Sequence, residues 1–455
     1  MVTTSTMTTR LHDVISRREV LLRAVPALSA LTVVVSALWG RVALYADGSN
    51  YLYWILRRRT FYWSSYEHFL SRSESQVLTQ APVRLALALH LYPLPWLTAL
   101  YGVGLFVLPN ALWMTAIYRQ REAPRFWFFA ALYALTLCTQ FYAVSESLVT
   151  YGLVALVASL LMDGREARPS TAWVVSGLSA LLIASYEITL VMAPLLGFIL
   201  LGWWWRSGML RTRWTLLSPV VLSLALLFSG TVLSFVTIRS HAESAGPSSA
   251  LSLHFLSLGG GAVVVGCLVI VAVTTSLYAS GTMRRSALLV AGLGVIVLVN
   301  PGFWEPPNVA YYARVDVGLM IALALALAAP KLLRRGEADD LNARAPLGSS
   351  VLVSALVVLL TVSFAANAAG FGAWNRSLQR IVTTHHGVLP FFSGLGKSVH
   401  QFYRYGWFWT TPEQSLLDQT ARHQAVVNNP SNSQNFEIVP GTPSSYLSPR
   451  YFSSS

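Results

Sequence analysis

The chain has 455 residues, of which 54% are hydrophobic and only 11% are charged, and its formal net charge is +13. Soluble domains carry about 25% charged residues, so this composition excludes an ordinary water-soluble fold and indicates a protein surrounded by lipid. The basic residues fall in short clusters between apolar runs, which argues against a nucleic-acid partner. The two cysteines, Cys138 and Cys267, lie in separate apolar runs and predict neither a disulfide framework nor a zinc site.

The N-terminal segment is polar and basic, and the first apolar run follows at 24–45. A positive flank before a membrane span keeps the N-terminus in the cytoplasm. A cleaved signal peptide ending near Ala46 is the alternative, but Trp39 and Arg41 make a poor cleavage region. The first run is therefore predicted to be a span.

Eleven apolar segments reach the length of a membrane span, which is roughly 20 residues and less where a span crosses a thin region. The predicted fold is an all-α polytopic membrane protein whose transmembrane domain covers 1–371. The segment 80–94 contains Arg84 and His90 and is predicted to be buried or re-entrant outside the bilayer core. The predicted spans are 24–45, 95–118, 126–142, 146–162, 171–186, 188–205, 214–238, 251–278, 286–300, 315–330 and 351–371.

The positions of the basic residues predict the orientation. Turns near 143–146 and 186–188 contain no Arg or Lys, and the turn near 239–250 contains only Arg239. Cytoplasmic loops carry an excess of these residues, so the basic segments are predicted to lie inside. These are Arg119, Arg121 and Arg125; Arg165 and Arg168; Arg206, Arg211 and Arg213; Arg284 and Arg285; and Lys331, Arg334, Arg335 and Arg344.

This orientation places two longer regions outside the cytoplasm. The first loop, 46–94, opens with Asp47 and continues into an aromatic amphipathic helix predicted over 50–58. The C-terminal region, 372–455, is predicted to fold against the membrane face over 374–417. From about residue 428 it is rich in Asn, Ser and Pro, which is typical of extended chain.

Ionisable residues at the outer ends of spans are the main functional candidates, because a charge at membrane depth is costly unless it is paired or hydrated. Asp47 is interpreted as a base for an acceptor hydroxyl or as a cation ligand, or alternatively as a helix N-cap. Glu146 and Glu187 either polarise the acceptor or bind sugar hydroxyls, or alternatively they are solvated acids at helix N-termini. Glu305, Arg314 and Asp316 lie at further outer ends, so the whole set is predicted to converge on one cavity.

Arginines and aromatic residues are the candidates for binding an anionic ligand and a sugar. Arg314 and the triplet Arg57, Arg58 and Arg59 suit phosphate oxygens. Alternatively, the triplet extends to lipid head groups while Tyr51, Tyr53, Trp54 and Leu56 dip into the interface, and Arg314 pairs with Asp316 or Glu305. Aromatic residues of the C-terminal region either stack on sugar rings or anchor the interface. The predicted substrate-binding residues are Tyr186, Glu305, Tyr311, Tyr312, Trp407 and Trp409.

Histidines do not add a metal site. His385, His386 and His400, with His68 and His90, show no metal-ligand spacing, so no metal-binding residues are predicted.

This pattern resembles the GT-C superfamily of integral-membrane glycosyltransferases. The similarity lies in the acid after span one, the acids at outer hairpin tips, the Tyr-Tyr-Ala-Arg entry to a late span and the outer C-terminal region. It implies a multi-pass bacterial inner (plasma) membrane protein with an extracytoplasmic active face and a polyprenyl-phosphate or polyprenyl-pyrophosphate sugar donor. Asp47 would then be the base, and Arg314 with Arg57 to Arg59 would meet the donor phosphate.

The resemblance departs from the family at one motif. Many members carry two adjacent acids or an acid–x–acid motif in the first loop, whereas Asp47 stands alone, with Glu67 and Glu74 well downstream. A divalent cation, Mg²⁺ or Mn²⁺, is compatible with this loop but is not required by it. A role as a pseudoenzyme or scaffold also stays open.

Two other functions compete with transfer of a sugar to a glycan or protein acceptor. A non-catalytic membrane subunit would bind a protein partner through the C-terminal region. A lipid or solute transporter would need polar groups at the bilayer midplane, whereas the acids of this chain cluster toward one face. Membrane lipids are expected partners in all three cases.

Overall fold

The computed structural model describes residues 3–61, 72–120, 122–141, 144, 147–163, 168–206, 210–245, 260–278, 307–333, 347–391, 395, 405–407, 410–428 and 446–452. The described chain is mostly helical. In chain order, the elements are α1 (Thr3–Trp39), a 3₁₀ turn (Val42–Leu44), α2 (Asp47–Arg58), α3 (Ser73–Ala88), α4 (Leu94–Gly102), a π turn (Val103–Val107), α5 (Leu108–Tyr118), α6 (Ala123–Leu137), α7 (Ser147–Leu161), α8 (Pro169–Ala180), α9 (Thr189–Trp205), α10 (Leu210–Ala245), α11 (Gly260–Tyr278), α12 (Pro307–Leu332), α13 (Leu347–Thr384), β1 (Val388–Pro390), α14 (Thr411–Leu417), β2 (Val426–Asn428) and a final 3₁₀ turn (Pro449–Tyr451).

Four helical stretches of the described chain are long and apolar enough to cross a membrane. They are Glu19–Trp39, Leu94–Tyr118, Trp214–Ser240 and Ser350–Thr384. Five shorter apolar helices accompany them: Ala123–Leu137, Ser147–Leu161, Thr189–Trp205, Val265–Thr274 and Val317–Leu332. The all-α membrane architecture is therefore confirmed, while the count of eleven spans stays a prediction.

The predicted spans coincide with helices wherever the structure describes them, although the ends differ. The predicted span 286–300 lies outside the described residues, as does the beginning of 251–278. The first helix ends at Trp39 rather than at 45, because Arg41 takes a left-handed conformation (φ 52°). The segment 80–94 belongs largely to α3, which ends at Ala88.

The first and last long helices run parallel. Ser29 Oγ and Thr361 Oγ1 share a hydrogen bond, and eleven residues further along each helix Gly40 meets Gly372. A Cβ built on Gly372 would lie 3.2 Å from the Gly40 Cα, so the absence of side chains lets the two backbones touch. Parallel α1 and α13 agree with an odd number of crossings from the first span to the last.

The helical stretch from α4 to α5, Leu94–Tyr118, runs alongside α1 in the opposite direction. Leu38, near the end of α1, packs at Gly102, and the Tyr118 hydroxyl at the end of α5 donates to the Arg23 carbonyl oxygen over 2.6 Å. This direction is the one that alternating crossings require. The side of the membrane on which each end lies remains a prediction from the arginines.

The C-terminal region folds over α2. Ser49 Oγ donates to the Thr410 carbonyl oxygen over 3.3 Å, and the Tyr451 hydroxyl donates to the Leu56 carbonyl oxygen over 2.7 Å. Strands β1 and β2 pair in parallel, with Val388 opposite Val426. The amphipathic helix is thus packed under the C-terminal region, with hydrogen bonds to it at Ser49 and Leu56.

This packing revises the interpretation of α2 as an interface helix. The side chains expected to dip into lipid are buried in the protein: Tyr51, Tyr53, Trp54 and Leu56 are 7%, 0%, 5% and 1% exposed. Their apolar face meets α14 and the 3₁₀ turn before α2 instead of acyl chains. Only the basic end of the helix, Arg57 and Arg58, reaches the surface.

Candidate functional site

Asp47 begins α2 immediately after a reversal of the chain. Ala46 occupies the N-cap position with φ 49° and ψ −129°, a conformation that costs energy for a residue with a Cβ. Asp47 itself lies in the first turn and is 5% exposed. The predicted N-cap is therefore one residue off, but a negative charge in the first helical turn is equally favourable, because the backbone N–H groups there point toward it.

The beginning of α2 is wedged between two other segments. A Cβ built on Gly48 would lie 2.0 Å from the Ala43 carbonyl oxygen and 3.1 Å from Val144 Cγ1. Val144 stands two residues before Glu146 in the chain; Glu146 lies outside the described residues. Asp47 is therefore held beside the segment that leads into α7.

Glu187 is paired with an arginine of the first loop. Arg72 Nε lies 2.6 Å from Glu187 Oε1, and the Arg72 guanidinium stands 4.9 Å from the centre of the Tyr186 ring. The Glu74 amide donates to the Ala184 carbonyl oxygen over 2.8 Å, which fixes α3 against this turn. Glu187 is thus a half-buried member of an ion pair rather than a solvated acid, and sequence reasoning missed its partner.

The middle of α12 packs beside the same turn. A Cβ built on Gly318 would lie 2.6 Å from Ile188 Cγ1 and 3.0 Å from the Tyr151 hydroxyl oxygen, so the α12 backbone packs directly on both side chains. Arg314 stands one turn earlier in α12, about 6 Å along the axis. Its backbone therefore lies at the Glu187 end of the bundle.

Several predicted residues fall beyond the described side chains. Glu305 and Trp409 lie outside the described residues, and the side chains of Tyr311, Tyr312 and Arg314 are outside them as well. Their predicted roles stay predictions.

The arginine triplet divides between two environments. Arg57 Nη1 donates to the Tyr53 hydroxyl over 2.9 Å, and the Arg57 guanidinium stands 5.1 Å from the Trp54 ring centre. The Arg58 guanidinium stands 4.6 Å from the centre of the same ring. Arg59 is the C-cap of α2, and its left-handed conformation (φ 56°) ends the helix there. Burial raises the pKa of the Tyr53 phenol to about 12, so it stays neutral beside Arg57.

The triplet lies far from Asp47 along the helix. Ten residues of α-helix separate Asp47 from Arg57 and span about 15 Å, so Arg57 is the member of the triplet that is nearest to Asp47 along the helix. Its bond to Tyr53 directs the guanidinium back along the helix toward that end.

Trp407 takes part in an aromatic cluster. Its ring stands edge-on to Tyr45, with 5.9 Å between the ring centres, and 8% of the residue is exposed. Tyr45 also packs on Phe141 and Phe371 at 5.0 Å and 5.4 Å. Most of the Trp407 surface is therefore committed to packing rather than open to a sugar ring.

Two buried carboxyl groups of the C-terminal region were not anticipated. Glu413 is fully buried, and neither of its oxygens has a hydrogen-bond partner among the described residues. Asp418 Oδ1 accepts from Asn375 Nδ2 over 3.3 Å and lies 3.8 Å from Arg41 Nη1. Burial raises the pKa of Glu413 to about 8 and that of Asp418 to about 7, in the latter case against the opposing effect of Arg41.

Metal binding finds no support in this part of the molecule. Across the described residues, no three His, Cys, Asp or Glu side chains come together as metal ligands would. His385 and His386 are exposed on the C-terminal region, and His400 lies outside the described residues.

Comparison with known proteins gives one weak likeness. No family model matches the chain, and no curated protein matches it. A crystal structure of the Archaeoglobus fulgidus oligosaccharyltransferase, in complex with Zn and sulfate, matches 88% of this chain at 12% identity and a TM-score of 0.30. The aligned part spans 62% of that structure's chain. A TM-score of 0.30 does not establish a common fold, so a function for this chain rests on its own contacts.

Proposed function

We propose that this chain is a membrane glycosyltransferase that moves a sugar from a polyprenyl-phosphate or polyprenyl-pyrophosphate donor to an extracytoplasmic acceptor. The observation that carries the proposal is a pair of contacts that each involve the beginning of α7: α2 packs on Val144, three residues before α7, and α12 packs on Tyr151 within it. Gly48, beside Asp47, packs on Val144, and Gly318, one turn from Arg314, packs on Ile188, beside Glu187. Acids and a phosphate-binding cation on adjacent elements are what transfer from a phosphate donor requires.

The reaction assigns a role to each group. The Asp47 carboxylate takes the proton of the acceptor hydroxyl, whose oxygen attacks the anomeric carbon of the donor. The bond from that carbon to the phosphate oxygen breaks, and the phosphate leaves with the electron pair. Arg314, helped by Arg57, stabilises the charge that develops on the phosphate, while Arg58 adds positive potential from farther along α2.

The remaining candidates orient the sugar and the acceptor. Glu146 and the Glu187–Arg72 pair are proposed to hold acceptor hydroxyls near Asp47. Of the predicted set, Glu305, Tyr311, Tyr312 and Trp409 would bind the sugar, whereas Tyr186, which is 1% exposed, and Trp407 are committed to packing. The bacterial plasma membrane, with the site at the outer face, is the location that this donor implies, and a glycan or a protein is the acceptor class.

A non-catalytic membrane subunit is the second candidate. One observation favours it: Glu187 already has a cationic partner in Arg72, as structural acids do. Under this proposal the C-terminal region would bind a protein partner, and replacement of Asp47 would change no chemistry.

The test is transfer by purified protein in lipid nanodiscs, followed as release of polyprenyl phosphate from a panel of polyprenyl-phosphate-linked sugars. Asp47→Asn should lower the rate at least about 100-fold, which is the size of a general-base contribution. The matched control is Asp163→Asn, because Asp163 pairs with Arg119 over 3.2 Å beyond the C-terminal ends of α5 and α7. Full activity of the Asp47 variant rejects it as the base, and no turnover by wild type on any donor favours the non-catalytic subunit.

A further inference from the structure

Three arginines from distant parts of the sequence meet around two tyrosines at the far end of α2. The Arg450 guanidinium stands 5.2 Å from the Tyr92 ring centre and 5.0 Å from that of Tyr451. The Arg59 side chain hydrogen-bonds to the hydroxyl groups of Tyr92 and Tyr451. Arg84 Nη1 donates to the Arg59 carbonyl oxygen. The C-cap of α2, the middle of α3 and the final 3₁₀ turn thus form one cationic cluster.

The tyrosine hydroxyls of this cluster already have hydrogen-bond partners, whereas the arginines have N–H donors that could bind an anion. The Tyr451 hydroxyl donates to the Leu56 carbonyl oxygen, and the Tyr92 hydroxyl lies 2.8 Å from His90 Nδ1. A guanidinium has five N–H donors. The Nε atoms of Arg84 and Arg450 are buried without an acceptor among the described residues. Both N–H groups could therefore donate to the oxygen atoms of a bound anion.

The charge of the cluster is likewise uncompensated by the described chain. None of Arg59, Arg84 and Arg450 forms an ion pair with a described carboxylate, whereas Arg41, Arg72, Arg119 and Arg125 each do. Three like charges around two rings repel one another. An anion with oxygens on several sides would both relieve the repulsion and accept from the buried Nε atoms.

The surroundings identify the anion as part of a lipid. The candidate span Leu94–Tyr118 begins directly after this cluster. Leu85, Leu89 and Trp96 are 62%, 63% and 69% exposed, so the chain next to Arg84 and Tyr92 presents large apolar side chains outward. Exposed apolar residues and tryptophan beside arginines and tyrosines mark the level of the lipid head groups.

We infer that Arg59, Arg84 and Arg450, with Tyr92 and Tyr451, bind the phosphate ester head group of a membrane lipid. A terminal phosphomonoester is preferred to a diester, because its second negative charge and third free oxygen suit three guanidinium groups. This site is separate from the chemistry at Asp47: twelve residues of helix place Arg59 about 18 Å along α2 from that carboxylate. The lipid bound there fixes the C-terminal segment and the end of α2 at the membrane face.

The experiment counts lipid molecules bound to the full chain. Phosphatidic acid, in phosphatidylcholine nanodiscs, is titrated and its retention measured by native mass spectrometry. Arg84→Gln with Arg450→Gln should weaken retention about tenfold or more, whereas Arg380→Gln with Arg422→Gln, which removes the same charge from two exposed arginines, should leave it unchanged. Thermal unfolding of both double variants shows that they fold.

The charge-preserving double variant Arg84→Lys with Arg450→Lys should recover part of the binding, so a loss by the Gln variant cannot be a folding defect alone. Equal retention by the wild type and the Gln variant overturns the proposal. Inorganic phosphate that binds as tightly as phosphatidic acid, with the same dependence on Arg84 and Arg450, overturns the lipid assignment in favour of a free phosphate. Because no sugar transfer is measured, failure here leaves the proposed function untouched.

Discussion

Glu413 is the residue whose ionisation should control the stability of the C-terminal region. Its pKa is about 8 in the fold against 4.5 for the free side chain, because burial disfavours the carboxylate. A raised pKa means that the folded state binds the proton more tightly. Its contribution to the free energy of unfolding is therefore complete below about pH 4.5 and lost as the pH rises through 8. Asp418 acts in the same direction, lower in pH.

We therefore expect the melting temperature of the purified protein, followed by tryptophan fluorescence, to fall between pH 5 and pH 9. Glu413→Gln should make this fall smaller without abolishing it, since Asp418 remains. Glu122→Gln is the control, because that partly exposed acid lies at the start of α6, away from the C-terminal region. A Glu413 variant whose melting temperature falls as steeply as that of wild type would show that this carboxyl group does not titrate in the range.

At the scale of elements, the docking of α2 depends on Gly48, which lies against the Ala43 carbonyl group and Val144. Alanine is the better helix former by about 1 kcal/mol, so Gly48→Ala would stabilise an isolated helix. In the fold, the new Cβ would lie 2.0 Å from the Ala43 carbonyl oxygen. Overpacking of this kind costs about 1–3 kcal/mol, so the variant should melt several degrees lower and lose transfer.

Gly177 is the matched control for that substitution. It also lies inside a helix, α8, but a Cβ there would meet nothing within 4 Å. Gly177→Ala should leave the melting temperature unchanged or raise it. If the two alanine variants melted alike, the close approach of α2 to the turn before it would be wrong.

Most helices could be predicted from the sequence because lipid imposes a single rule, a long apolar run, on each span. The burial of α2 inside the protein could not be predicted, because an amphipathic sequence has the same pattern whether its apolar face meets lipid or protein. The covering residue Thr410 is 361 positions away from Ser49. The end of α13 was missed for a related reason: Asn375 and Gln379 read as a polar tail, yet they bind Asp418 and extend the helix to Thr384.

The candidate site divides along the same line. Acids at predicted outer ends follow from span order and arginine placement, so the sequence singles out Asp47 and Glu187 as candidates, and their catalytic role stays a prediction. Arg72, which neutralises Glu187, gives no signal of its own, because their pairing joins residues 115 positions apart. Glu413 was missed because nothing in the run TPEQSLL marks its acid as buried, and the burial comes from long-range packing of α14.

At the scale of the whole molecule, pairs of contacts fix the relative direction of several neighbouring helices. Ile188, just before α9, meets Gly318 near the middle of α12, and Gly202 meets Leu333 near the ends of the two helices, so these helices run parallel. At the end where α6 begins, the Arg125 guanidinium donates to the carbonyl oxygen of Leu332, at the end of α12. The relative direction of the helices does not tell which end is cytoplasmic. The excess of arginines at the end where α6 begins predicts that this end is cytoplasmic.

Labelling of single cysteines tests that orientation. With Cys138 and Cys267 replaced by alanine, a cysteine is introduced at Glu122, by the start of α6, or at Ala421, in the exposed part of the C-terminal region. A membrane-impermeant maleimide should react in intact spheroplasts with the cysteine at position 421, and with that at 122 only after permeabilisation. The reverse pattern would place the Asp47 end of the bundle in the cytoplasm, where a lipid-linked donor presented at the outer face could not reach it.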